Sequence, residues 1–157
     1  MDGTAVRHVR VPDEKRRYLR MPNHAGTAPE ATWSARGAGA LLCLAVAAIH
    51  VVDQGGLVTT RDPHYIGVAY HVLEIAGVVA AVLLLIGLVR PGWALAAAVA
   101  VGPLLGYILS RGPGLPQYSD DIGNWTEPLG LTSLAVEGIL LLLSVPLFLR
   151  SLRRGTC

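Results

Sequence analysis

Charge is scarce in this chain. Asp, Glu, Lys and Arg make up 15% of its 157 residues, against roughly 25% in a soluble domain. That scarcity excludes an ordinary water-facing surface. Lysine occurs once, at Lys15, beside twelve Arg. With abundant Ala and Gly, this is the residue usage of a high-GC bacterial genome. Aromatic residues are few, at 6%. Together with the small number of basic residues, that leaves no footprint for nucleic-acid binding.

Cysteine is scarce too. Cys43 sits in an apolar stretch and Cys157 is the last residue. Two such positions build no disulfide framework, and no CxxC or Cys/His spacing marks a zinc site. Cys157 does not fit a prenylation box. HExxH, Walker, GxGxxG and nucleophile-elbow motifs are all missing, so no motif supports an enzyme and the chain reads as a non-catalytic protein.

What the sequence has is clumped apolar residues, 52% of the whole. Four stretches approach or exceed the roughly 17 to 25 residues that cross a bilayer as helix. They are residues 37–52, 65–89, 93–110 and 129–149. Arg90, Pro91 and Gly92 are expected to break the chain between the second and third spans. Pro103 and Pro146 fall inside spans, where neighbouring helices can satisfy the freed carbonyls. The fold class that follows is all-α, a four-span transmembrane bundle over residues 37–150. Residues 1–36 form a polar, basic tail without apolar period, expected to be disordered. Residues 151–157 form a short basic tail. The first apolar run comes too late for a secretory signal peptide.

The Lys/Arg distribution orients the bundle. The side holding both tails and the 90–92 turn carries eleven: Arg7, Arg10, Lys15, Arg16, Arg17, Arg20, Arg36, Arg90, Arg150, Arg153 and Arg154. The other side carries Arg61 and Arg111. Both termini are therefore expected in the cytoplasm, and the chain in a bacterial cytoplasmic membrane as a multi-pass protein.

Several polar residues interrupt the spans, all toward the outer side. His50 lies near the outer end of the first span. His71 is about 9 Å deep, Glu74 about 13 Å and Glu137 about 12 Å, at 1.5 Å rise per residue. A charged group at the bilayer centre costs roughly 2.5 to 3.5 kcal/mol on insertion scales. Such groups are expected to face the bundle interior and to meet one another. His71 and Glu74 share a helix face, and Tyr70 and Tyr107 are in place to donate hydrogen bonds to the same cluster.

Several chemistries remain open for it. Two His and two Glu fit a divalent metal, with His50, His71, Glu74 and Glu137 as ligands. A carboxylate beside an imidazole can relay protons. Two His on facing helices can ligate a haem. A hydrogen-bonded packing device needs no ligand or cofactor at all, and an absence of cofactor is the simplest expectation. Tyr107, Arg111 and Glu127 complete the ligand or ion candidates. Residues 112–127 are expected to fold over the mouth of the bundle, with Arg111 paired to Asp120, Asp121 or Glu127. Small residues at Gly37 to Ala40 and from Gly102 to Gly106 have the spacing of close helix packing. The lipid bilayer is the expected partner, joined by another membrane protein or a second copy of this chain.

Residues 106–143 carry Tyr107, Ser110, Arg111, a Gly114-Leu115-Pro116 turn, the Glu127-Pro128-Leu129-Gly130 entry to the last span, and Glu137. In these features the chain resembles uncharacterised small four-helix membrane proteins of high-GC bacteria, which also tend to carry a His late in span one, as His50 is here. Only the loop is specific. Its Gly112-Pro113-Gly114 spacer departs from the more usual Thr-Val-Gly. The resemblance implies the topology and no mechanism. Two readings of function follow. In one, the His/Glu cluster handles an ion, a proton or a small ligand. In the other, the protein is a membrane scaffold or accessory subunit whose cluster only fixes helix packing.

Overall fold

The computed structural model describes residues 29–58 and 61–153, with side chains from Trp33 onward. Four α-helices follow one another: α1 (Pro29–Asp53), α2 (His64–Ile86), α3 (Val89–Arg111) and α4 (Pro128–Arg153). Each is long and apolar enough to cross a membrane. No strand occurs among the described residues, as the all-α reading expects.

Boundaries differ from the expectation in two places. Helix α1 begins at Pro29, so residues 29–36 of the expected tail are helical; residues 1–28 and 154–157 lie outside the described residues. The break between the second and third spans falls at Gly87 and Leu88. Gly87 adopts φ 92°, a left-handed position that closes α2 as a C-cap. Arg90, Pro91 and Gly92 lie in the first turn of α3. Proline is tolerated there because the first-turn N–H groups have no intrahelical acceptor. Pro103 and Pro146 do lie inside α3 and α4.

Each helix packs against its chain neighbour, and α4 returns to α1. Helices α1 and α3 also touch across the bundle, whereas α2 and α4 do not. The end that carries the termini is closed. Trp93 and Leu84 are buried there, and Ala96, Cys43 and Leu140 nearer the middle of the bundle. Glycines permit this approach. A Cβ at Gly39 would lie 2.5 Å from the Trp93 ring, and one at Gly77 2.9 Å from the Cys43 carbonyl oxygen. Arg36 finishes the same end. Its Nε and Nη2 donate to the Leu84 and Leu85 carbonyls at 2.6 and 2.7 Å, satisfying the last turn of α2. Its guanidinium lies 4.1 Å from the centre of the Trp33 ring. Long apolar side chains such as Leu41, Ile75 and Leu142 are exposed on the outer faces of the helices, as lipid contact requires.

At the opposite end lie residues 54–58 and 61–63 and the loop 112–127. This loop is ordered by its own ties to the helices. Tyr65 Oη donates to the Pro116 carbonyl at 2.6 Å, and Tyr107 Oη to the Trp125 carbonyl at 2.8 Å. Arg111 donates through Nε to the Asn124 carbonyl at 3.0 Å. Its Nη2 pairs with Glu127 at 2.6 Å and its Nη1 with Asp121 at 3.5 Å. Arg111 is buried, and its guanidinium stacks on Tyr107 at 4.0 Å. Asp120, expected as a third choice, has no ion pair among those formed by the described residues.

Candidate functional site

The expected single meeting of His50, His71, Glu74 and Glu137 is not what the bundle forms. The four side chains make two separate pairs. His50 Nε2 of α1 faces Glu137 Oε1 of α4 at 3.8 Å. His71 and Glu74 pair along α2, with Nδ1 to Oε2 at 3.2 Å. The physical reason is the geometry of α2, whose i,i+3 spacing lets His71 and Glu74 satisfy each other without crossing the bundle. Among the described residues no three His, Cys, Asp or Glu side chains gather to hold a metal ion. The four-ligand metal set read from the sequence is therefore not brought together.

The first pair is built from both helices. His50 Nδ1 lies 2.9 Å from the Val46 carbonyl. A carbonyl only accepts, so Nδ1 carries the proton and a neutral ring presents Nε2 as an acceptor. Ser133, one turn before Glu137, donates to Glu137 Oε1 at 2.5 Å. Glu137 is 1% exposed. The 3.8 Å between Nε2 and Oε1 is too long for a hydrogen bond.

The second pair recruits a residue that sequence reading missed. Gln54 is buried, and its Nε2 donates to Glu74 Oε1 at 2.7 Å. His71 Nδ1 lies 3.4 Å from the same amide nitrogen. This ties the end of α1 to α2. Gln54 Oε1 is buried with no hydrogen-bond partner among the described residues. One signal in the sequence pointed to Gln54: it follows His50 by four residues and so shares its helix face.

A third group joins Tyr70 and Arg61 to Asp53 at the loop end of the bundle. Tyr70 donates a short hydrogen bond to Asp53 Oδ2, and Arg61 reaches the same oxygen at 3.3 Å. The Tyr70 ring lies 5.4 Å from the His50 ring. Neither Tyr70 nor Tyr107 donates to the His/Glu pairs, contrary to expectation, because each is taken by a nearer acceptor.

The first and third groups border a cavity of about 640 Å³. His50 and Glu137 line its inner polar wall; Asp53, Arg61, Arg111 and Asp121 line the side nearest the loops. The rest is apolar, supplied by residues such as Val72, Leu73, Leu95 and Val99. His71, Glu74 and Gln54 do not line it. Loop 112–127 contributes Leu115, Tyr118 and Asp121, so it forms part of the wall at the mouth. Tyr118 donates to Asp121 at 3.0 Å, and burial, with this bond acting in the same direction, pushes its phenol up to about 12.

Gly102 and Gly106 correct another expectation. Neither packs against a helix: a Cβ at either would meet nothing within 4 Å. Both line the cavity. Their small size widens the space between helices. Of the other small-residue run, Gly39 does pack closely, on Trp93, while a Cβ at Gly37 would meet nothing within 4 Å.

Comparison of the chain with protein-family models, with curated proteins and with solved structures returns no match. The site's own geometry is therefore the ground for a functional reading.

Proposed function

We propose that this chain is a multi-pass protein of a bacterial cytoplasmic membrane, with both termini in the cytoplasm, that binds a small ligand in the outer half of its bundle. The observation that carries the reading is the cavity of about 640 Å³ that His50 and Glu137 line. Ligand sites occupy roughly 300 to 1,000 Å³, mostly apolar with a few convergent polar groups. A pair present only to fix packing would be enclosed by side chains. Here His50 keeps part of its ring exposed to the cavity, with Glu137 enclosed just behind it, and Gly102 and Gly106 line the same space, where side chains would fit and none is present. The closed terminal end, sealed by Trp93 and Leu84, favours binding from one side over conduction through the bundle. No catalytic role is assigned to the site.

The packing reading has its own support in the second pair. Gln54, His71 and Glu74 join α1 to α2 away from the cavity. That group is assigned to holding the helices together, and the His50–Glu137 pair to the ligand.

Thermal unfolding of the purified protein against a panel of small apolar and amphipathic molecules tests the reading. At least one chemical class should raise the wild-type Tm, and Gly106→Leu should abolish the shift while folding normally. A wild type that responds to none, with a Gly106→Leu variant more stable than wild type, would leave only a void and the packing reading.

A further inference from the structure

Resting on that reading, we propose that the ligand is a membrane-dissolved molecule ending in a hydroxyl, which enters from the lipid between α2 and α3 and seats its hydroxyl on His50 Nε2.

The route follows from where the cavity is lined. Its long walls come from the first half of α2 and from α3 between Leu95 and Arg111, including Ala69, Val72, Ala98 and Gly102. These four residues line the cavity and are also exposed. Val72 lies about 12 Å from the start of α2 and Gly102 about 14 Å from the end of α3, at 1.5 Å per residue. The opening is therefore at hydrocarbon depth rather than in water. The way in from the loop end is obstructed. Loop 112–127 is stapled across by Arg111, Tyr65 and Tyr107, and it places Leu115 and Tyr118 in the cavity wall. A water-soluble ligand would have to displace those ties; an apolar molecule in the bilayer would not.

The head group follows from which polar atoms are already engaged. Arg61 is paired with Asp53, and Arg111 with Glu127 and Asp121. Each guanidinium's charge is thus already matched by a carboxylate, which lowers its pull on an anionic head. His50 Nε2 is an acceptor within 3.8 Å of the Glu137 carboxyl, and the two share no hydrogen bond. His50 keeps part of its ring exposed while Glu137 is enclosed behind it, so a ligand oxygen in the cavity meets His50 Nε2 first. A hydroxyl suits that position, since it donates to Nε2 and its own lone pairs need no further partner in an apolar wall. An ether or ester offers no proton to Nε2. The apolar wall formed by Val72, Leu73, Leu95 and Val99 takes the remainder of the molecule.

Photolabelling tests this. Purified protein in lipid nanodiscs is irradiated with hexadecanol carrying a diazirine in its chain, and the labelled peptides are mapped by mass spectrometry. Saturable label is expected on residues 69–76 and 95–106, competed by unlabelled hexadecanol. Hexadecyl methyl ether should compete about tenfold less well, the effect of losing one hydrogen bond. Gly102→Leu and Gly106→Leu should remove the saturable label. Equal competition by alcohol and ether, or label unchanged in both filled variants, overturns the inference. If hexadecanol does not label while a short water-soluble alcohol raises the wild-type Tm and not that of Gly106→Leu, the cavity still binds a ligand and only the lipid-phase hydroxyl is wrong. If no probe distinguishes wild type from the filled variants, both readings fail.

Discussion

His50 Nε2 stands 3.8 Å from Glu137 Oε1, joining α1 to α4 at the edge of a cavity that no side chain fills. Each residue is held from behind by its own helix, His50 through the Val46 carbonyl and Glu137 through Ser133. The pair is positioned before any ligand arrives, so little ordering remains to oppose binding.

Removing one member of that pair should expose its dependence on the other. Glu137→Leu is expected to destabilise the bundle by about 1 to 3 kcal/mol, since buried polar groups lose their partner. His50→Leu in the same protein should recover part of the loss, giving a coupling of about 0.5 to 3 kcal/mol between the two sites. Unfolding in mixed micelles measures all four corners of the cycle. Additive effects would mean that the two side chains do not interact.

Glycines in the packed core and at the cavity should respond in opposite ways. Gly77→Ala places a Cβ 2.9 Å from the Cys43 backbone oxygen, which can recede only if α1 and α2 separate. Gly106→Ala meets nothing within 4 Å, and gains up to about 1 kcal/mol of helix propensity. Thermal unfolding should rank Gly106→Ala at or above wild type and Gly77→Ala below it. The reverse order would contradict the placement of cavity and core.

The loop should depend on Arg111. Its guanidinium holds Asn124, Glu127 and Asp121 together. Hydrogen bonds to charged groups contribute about 1.5 to 3 kcal/mol each. Arg111→Ala should make residues 112–127 sensitive to protease added from outside intact, right-side-out membranes, while wild type resists. Equal resistance in both would show that Tyr65 and Tyr107 suffice to hold the loop.

Tyr118 gives the loop a pH dependence of known sign. Its folded-state pKa is raised from 10.0 to about 12 by burial and by the bond to Asp121. The folded loop therefore keeps the phenol proton longer than the unfolded chain does. That contribution is complete below about pH 10 and is lost as pH rises toward 12. The difference in phenolate absorbance between wild type and Tyr118→Phe should titrate above the ordinary tyrosine range. Titration at the ordinary value would mean that the phenol is in water.

The four helices were legible because runs of apolar residues long enough to span a bilayer have few alternative readings. The break at Gly87 was not, because Arg90, Pro91 and Gly92 carry the stronger breaker signal, and Pro91 is harmless in a first turn. At the site, depth along each helix selected His50, His71, Glu74 and Glu137 correctly as inward polar residues, and all four are buried or half-buried. Depth does not report which way around its helix each residue points. That angle separates Glu74, turned to Gln54, from Glu137, turned to His50. It also sends Gly102 and Gly106 to the cavity rather than to a neighbouring helix.

The central claim is that His50, backed by Glu137, faces a ligand. Ring-nitrogen resonances of labelled histidine, with His50 assigned by comparison with His50→Gln, read this directly in nanodiscs. The account predicts a neutral His50 protonated at Nδ1, whose Nε2 resonance moves when hexadecanol is added and stays fixed in Gly106→Leu. A His50 Nε2 resonance that does not respond to any molecule shown to stabilise the wild-type protein would contradict it.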